Sequence, residues 1–583
     1  MTTGTTADTE PESSPSPKTS RRPDILAAAV YTALSVLILH NQWQHLRSEY
    51  LRFSGQDQTM WEWFFAVTAR SVTHLENPFF TDLQNAPDGV NMMANTAMLG
   101  LSVPLTPITL AFGASTTFAL ALTLGLATTA FGWYFLFSRT VVQSRAAAGL
   151  GGLICGFAPG MISHANAHPN FVVLGVLPFI LYVVLRIADG ERPRRNAVVL
   201  GLLVAWQVLL GEEPLLIFAV AVLLLLVLYG VQRPREVGAM VARSALPVLG
   251  AAVLTAVLVA VPLWWQFLGA QSYTHLDHNL PGNDLVSLIQ FPPQSLWGAA
   301  FPMEDVALNP TEQNAYFGIP LLLVVVAAAV VLRRRPVAVA AFVSVLVLMV
   351  MSLGVQLVVD ETETGITLPG EYLDRLPLLQ SVLETRFVLA AVPAMALLLA
   401  MVTDELLTRP GSRRHAVVWT GALSLALVPL APTPLPTADR GETPAFLADG
   451  TWREYVDQGS ILTVPVPNPG TAAALRWQVA TGLEYRIAGG YFVGPSGMAD
   501  GEAKYGAIDR PTAKLLGTVG RTGIVPTLSD QQRATAREDL SFWDADVVMV
   551  PPTDHQDELR DTVDDLLGQG ATDIDGTYVW DVR

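Results

Sequence analysis

The sequence predicts an all-α polytopic membrane protein of about eleven transmembrane helices, followed by a C-terminal extracytoplasmic α/β domain. First, 51% of its 583 residues are hydrophobic and only 15% are charged, with a mean hydropathy of +0.39, so the bilayer is its natural solvent. Second, eleven apolar runs are long enough to cross, or nearly so: 25–40, 116–137, 146–162, 171–185, 197–210, 215–229, 246–268, 317–332, 337–358, 387–401 and 416–430. Third, basic residues fall in every second connection, as they do when arginines near span ends stay in the cytoplasm.

The basic groups are Arg21-Arg22, Arg139 with Arg145, Arg186 to Arg195, Arg233 to Arg243, Arg333 to Arg335, and Arg409 to Arg414. Connections 41–115, 163–170, 211–214, 269–316 and 359–386, and everything after 431, are poor in basic residues and rich in Asp, Glu, His and Asn. This pattern predicts a cytoplasmic N-terminus, a membrane domain over 23–431, and an extracytoplasmic domain over 432–583. The polar tail 1–22 is expected to be disordered. Arginine-rich, lysine-poor usage points to a bacterial plasma membrane. A net charge of −16 argues against a nucleic-acid partner, and the lone Cys155 excludes an intramolecular disulfide and a cysteine metal cluster.

Leu99 to Phe112 is apolar but holds two prolines, and counting it as a span would put Arg139 outside, so it is expected to lie at the outer interface or re-enter. After Leu430 the periodicity changes. Segments 461–466, 545–550 and 577–580 read as strands, and Ser529 to Leu540 and His555 to Leu567 as helices, with Ser529 and Thr553 as caps.

Candidate chemistry gathers in the outer connections. From Trp61 to Val72 the aromatic, amphipathic spacing suits a helix lying in the membrane interface, with Asp57 in its first turn. A carboxylate there has a plain structural use as an N-cap. Arg386 enters an apolar span from the outer side, against the charge rule, and requires a partner such as Glu384 or Asp374. His164 and His168 are four residues apart, which on a helix lets both bind one metal, although Pro169 argues against a continuing helix. Cavity lining and a hydrogen-bonded loop are the other readings of this pair. Glu212 and Glu213 sit between two short spans and either reach into a cavity or stay solvated. Tyr273, His275, Asp277 and His278 open the long loop 269–316, as an unspecific metal site or a lid.

The order and sidedness of these features resemble the GT-C superfamily of integral-membrane glycosyltransferases over about residues 24–431. The residues that carry the resemblance are Asp57, Glu76-Asn77-Pro78-Phe79, Pro104-Leu105, Phe112-Gly113-Ala114-Ser115, and Leu376-Pro377 with Glu384-Thr385-Arg386-Phe387. The resemblance implies transfer of a sugar from a polyprenyl-phosphate donor to a cell-envelope glycan, lipid or protein acceptor at the outer face, with inversion. The family's first-loop acid, which deprotonates the acceptor hydroxyl, falls on Asp57. Many members carry two adjacent acids there, whereas Asp57 is flanked by Gln56 and Gln58, so Glu62 and Glu76 remain alternative bases. Arg386 and Arg375 are the candidates for the lipid phosphate. Asn77, His164, His168, Glu212, Glu213, Tyr273, His275, Asp277 and His278 fall to the substrate cavity. The resemblance fixes no cofactor, and a divalent metal is compatible with the set.

Two other readings compete. A flippase or transporter of lipid-linked sugars would place ionisable groups in mid-span. A non-catalytic envelope scaffold would require nothing of Asp57. The predicted sidedness is open to test: protease outside intact spheroplasts is expected to cut the chain beyond 431, and an impermeant maleimide to label Arg333→Cys only after permeabilisation.

Overall fold

The computed structural model describes residues 21–583 apart from 279, 374 and 410–412, so the tail expected over 1–22 lies, but for its last two positions, outside the described residues. A helix occupies each of the eleven apolar runs: Arg22–Ile38, Ala114–Thr140, Arg145–Phe157, Val176–Ala188, Pro193–Val208, Glu212–Gln232, Pro234–Leu268, Gly318–Val331, Pro336–Ser352, Ala391–Thr408 and Arg413–Leu427. Pro193, Pro234 and Pro336 stand at first helical positions, where a missing N–H leaves no bond unmade. Among the described residues, five stretches are long and apolar enough to cross a membrane by length and composition: Ala114–Thr140, Pro169–Ala188, Glu212–Gln232, Pro234–Leu268 and Glu384–Thr408.

Ala114–Thr140 forms the centre of the bundle, and Pro234–Leu268 one flank. The apolar window of the first is 72% buried and that of the second 17%, with Leu246, Val257 and Leu268 turned outward. So much exposed apolar surface needs a bilayer to cover it. At the centre, Gly152 and Gly156 share a GxxxG spacing that lets two helix backbones meet. A Cβ on Gly156 would stand 2.4 Å from that of Ala130.

The connection after the first apolar helix departs from expectation. Helix Gly55–His74 presents no apolar face for lipid along its middle turns; Trp61, Trp63, Phe64, Phe65 and Val67 are all buried in protein, and exposure returns only at the helix ends. The proline-bearing stretch that follows breaks into Leu99–Ser102 and Thr106–Phe112, each far shorter than a crossing. Thr106–Phe112 packs against both Gly55–His74 and Ala114–Thr140.

Near the C-terminus, strands Ser460–Thr463, Arg486–Ile487, Ala545–Val550, Thr572–Ile574 and Thr577–Asp581 form one sheet. Ala545–Val550 is central, parallel to Ser460–Thr463 and antiparallel to Thr577–Asp581. Alternate residues Leu462, Val548 and Trp580 face the helices Pro511–Thr522, Asp530–Phe542 and Gln556–Leu567. Ser529 caps its helix through a reciprocal bond with Gln532. Thr553 does not cap the last helix; His555 holds that position in a left-handed turn without a side-chain cap bond.

This sheet is bonded into the connection after the first apolar helix. The backbone of Ile487 pairs with Leu83 and Ala86, and strand Glu49–Leu51 pairs with Thr437–Asp439. Gln478, fully buried, accepts from the Trp63 indole at 2.6 Å and donates to the carbonyls of Leu83 and Tyr485. Gln478→Met keeps the volume but leaves those three partners unpaired, each at about 1–3 kcal/mol. A thermal midpoint several degrees lower, with faster proteolysis after residue 432, is the expected outcome in a detergent melt.

Candidate active site

Asp57 lies in the first turn of helix Gly55–His74, but it does not serve as the N-cap. That position belongs to Ser54, whose hydroxyl donates to the Asn166 carbonyl instead of capping. Asp57 is thereby free to look outward from the helix, and two groups from distant parts of the chain meet it. The Tyr491 hydroxyl donates to Oδ1, and His168 Nε2 stands 3.8 Å from Oδ2. Tyr491 follows Gly490, whose backbone passes so close to Gln84 that a Cβ would lie 2.1 Å from its Oε1. The turn that delivers Tyr491 therefore requires glycine.

The two histidines do stack on one helical turn. Helix Pro159–His164 is extended by the bond from His168 N to the His164 carbonyl at 2.8 Å, and Pro169 opens the next, 3-10 turn instead of interrupting this one. Their Nδ1 atoms lie 3.0 Å apart. Glu312 faces both, at 3.6 Å from His168 Nδ1 and 3.8 Å from His164 Nε2. Beyond it lies Arg386, whose Nε donates to Glu312 at 3.2 and 3.3 Å, whose Nη2 also contacts that carboxylate, and whose Nη1 donates to Glu213 at 2.7 Å. The guanidinium sits 4.4 Å over the Phe171 ring, on which His164 also stacks. The partners expected for Arg386 are thus replaced: Glu312 and Glu213 hold it, Glu384 lines a neighbouring cavity, and Asp374 lies outside the described residues.

Two carboxylates, Glu213 and Glu312, share the Arg386 guanidinium, and a third, Asp57, reaches the cluster through His168. Burial alone would raise the Glu312 carboxyl, but Arg386 and the two imidazoles outweigh it and hold the group well below the usual carboxylate range. Burial pushes the His164 imidazole down to about 3, so it is neutral at ordinary pH. A neutral imidazole whose Nε2 is buried without a hydrogen-bond partner is ready to take a ligand. The ligand atoms of His164, His168 and Glu312 all lie within 4.8 Å of one another. Two imidazoles and a carboxylate, with excess negative charge behind them, fit a divalent cation such as zinc or manganese.

The remaining sequence candidates divide. Glu62 is taken up structurally: Arg440 grips both its oxygens at 2.7 Å, with Ser115 and Gln58 donating as well. Glu76 pairs with Arg70 at the surface, and the Asn77 side chain only accepts from the Phe79 amide. Both acids proposed as alternative bases are therefore committed elsewhere. Arg375 is exposed and paired with Glu371, not with the Arg386 cluster. Glu212 turns into the protein beside Gln266 and Tyr273, whose hydroxyl donates to the Ala94 carbonyl. His275, Asp277 and His278 line a cavity of about 370 Å³ with Gln380 and Glu384. Tyr505 lies 3.4 Å from His278 Nδ1 and within reach of the charges of the cluster, and burial pushes its hydroxyl up to about 12. Sequence reasoning missed Glu312 and Tyr491. The only local signals were the polar run Thr311-Glu312-Gln313-Asn314 against an apolar span, and the paired glycines before Tyr491.

The fold has known structural counterparts. An arabinofuranosyltransferase from Mycobacteria aligns over 97% of this chain and 40% of its own, with a TM-score of 0.55 and 15% identity. An oligosaccharyltransferase from Archaeoglobus fulgidus aligns over 90% of this chain and 69% of its own, with a TM-score of 0.50 and 12% identity. The chain thus spans well under half the length of the first. Both are GT-C glycosyltransferases, and the chain has their GT-C fold. No curated protein matches it in sequence. A family of membrane proteins described as 6-pyruvoyl-tetrahydropterin synthase related matches residues 105–432, over half of the chain, and the chain belongs to that family.

Proposed function

We propose that the chain is a membrane glycosyltransferase that moves a sugar from a polyprenyl-phosphate donor to a cell-envelope glycan, lipid or protein acceptor, with inversion and with Asp57 as general base. The observation that carries this reading is the position of Asp57. One carboxylate oxygen is held by Tyr491, and the other faces the His168–Glu312–Arg386 cluster. In the proposed step an acceptor hydroxyl gives its proton to Asp57 Oδ2 while its oxygen attacks the anomeric carbon from the face opposite the phosphate. The bond from that carbon to the phosphate oxygen breaks, and its electron pair leaves with the polyprenyl phosphate.

Support for a lipid donor comes from a narrow crevice inside the bundle, lined by Phe171, Leu174, Leu177, Ile217 and Leu389, whose charged wall is Arg386. At about 60 Å³ the crevice has room for the first carbons of a lipid chain, whose apolar character its lining matches, and the guanidinium beside it suits the phosphate oxygens. A divalent cation held by His164, His168 and Glu312 would add positive charge for the departing phosphate. In this reading the N-terminus is cytoplasmic in a bacterial plasma membrane and residues 432–583 lie outside it, on the side of the acceptor.

Purified protein given a polyprenyl-phosphate sugar is expected to release polyprenyl phosphate, and Asp57→Asn to lower that rate by about 10²–10⁴-fold with an unchanged melting curve. A fully active Asp57→Asn chain would remove the reading. Tyr491→Phe keeps the ring but not the donor, and is expected to reduce kcat by about tenfold with little change in KM, since the bond orients the base and does not touch the donor.

A further inference from the structure

We propose that the C-terminal sheet carries a second binding site, a pocket for an uncharged saccharide at the carboxyl ends of strands Ser460–Thr463 and Ala545–Val550. These strands are parallel neighbours, and the segments leaving them, 464–471 and 551–554, line opposite sides of a cavity of about 590 Å³. Ligands of open α/β sheets lie in such a crevice, and pockets for small ligands have volumes of about 300–1,000 Å³. Pro465, Pro467, Pro551 and Pro552 stiffen both walls, so the cavity is formed before anything enters it.

Its shape and chemistry select the class of ligand. Gly517 sits inside helix Pro511–Thr522, where glycine is about 1 kcal/mol less favourable than alanine. A Cβ there would meet nothing nearer than Arg521 Nη1 at 3.8 Å, so glycine keeps open space that a side chain would fill. Thr463, Asn468 and Thr471 offer hydroxyl and amide groups, and Trp477 an aromatic surface. The charged lining is one cation, Arg521, and one anion, Asp554, which disfavours a polyanion and suits a neutral polyhydroxyl compound.

The site is distinct from the Asp57 cluster and rigidly joined to it. Helix Ala473–Ala480 presents Trp477 to the pocket, while the next residue, Gln478, bonds to Trp63 on the helix that carries Asp57. A saccharide held here is thus fixed relative to that carboxylate. Its identity as the distal part of an acceptor glycan rests on the glycosyl-transfer reading; the binding itself does not.

The test uses the full chain in lipid nanodiscs, carrying Asp57→Asn so that turnover plays no part, titrated by calorimetry with linear hexasaccharides of glucose, mannose, galactose and arabinose. At least one is expected to bind saturably with a Kd below about 1 mM, and Gly517→Leu to weaken it at least ~10-fold, about 1.4 kcal/mol. Leucine favours the helix, so the melting temperature should not fall. Arg521→Ala, at an exposed position, is expected to weaken binding likewise. Absence of saturable binding by all four sugars, binding unchanged in both variants, or a response to inorganic pyrophosphate alone would each overturn the proposal. Saccharide binding here, with a wild-type chain that releases no polyprenyl phosphate, would leave this site standing and remove only the glycosyl-transfer reading.

Discussion

The site depends on one buried guanidinium. Arg386 stands at the mouth of the apolar stretch Glu384–Thr408, only 13% of its side chain exposed, between Glu213 and Glu312. Those two acids come from different connections, one at the start of helix Glu212–Gln232 and the other from the loop before Gly318–Val331. Three separate helices are thus pinned at one point, and the imidazoles of a fourth segment rest against Glu312. Desolvating these ions costs several kcal/mol each, and apolar side chains of similar volume would hold the helices at least as firmly. Stability is therefore a poor reason for this arrangement. Function at the cluster is the better one, since ionisable groups at membrane depth are expensive to keep.

The second constraint is that Asp57 is held by a residue from the far end of the chain. Asp57 leaves the membrane bundle on one helix, and Tyr491 arrives from a segment more than four hundred residues later. Their meeting requires the close passage at Gly490, the backbone pairing of Ile487 with Leu83, and the Gln478–Trp63 bond. The C-terminal region thus forms part of the wall around Asp57. Tyr505 extends the same wall toward His278, so one segment borders both the carboxylate cluster and the polar cavity beside it.

How much of this was legible in sequence follows from the range of the interactions. Apolar runs mark helices because each run's own composition decides its state, and a helix stands in every one of them. The strands 460–463, 545–550 and 577–581 were readable for the same local reason. Arg386 was readable as a charge costly to place at an apolar span, Asp57 from its place in the first turn of a helix and from the family resemblance, Glu213 from its position between two short spans, and the two histidines from their spacing. Their partners were not. Glu312 resembles any loop acid until Arg386 is folded against it, and Tyr491 resembles any tyrosine after a turn. The interfacial placement of helix Gly55–His74 failed because an amphipathic pattern reports that a face is buried, not what covers it; here the cover is the protein itself.

The distribution of charge along the bundle bears on what kind of protein uses this cluster. Apart from it, the ion pairs of the membrane helices gather at the opposite end: Asp24 with Arg139 and Arg145, and Arg335 with Glu405. Between the two ends the described helices are built of Leu, Val, Ala and Phe, and keep their Asp, Glu, Lys and Arg near their ends. A transporter needs polar groups through the depth of the membrane, because its substrate must exchange hydration for protein contacts along the whole path. An enzyme acting on a lipid-borne group needs them only where the headgroup lies, with an apolar crevice beside them for the tail. The crevice ending on Arg386 and the single-ended cluster satisfy the second requirement and not the first.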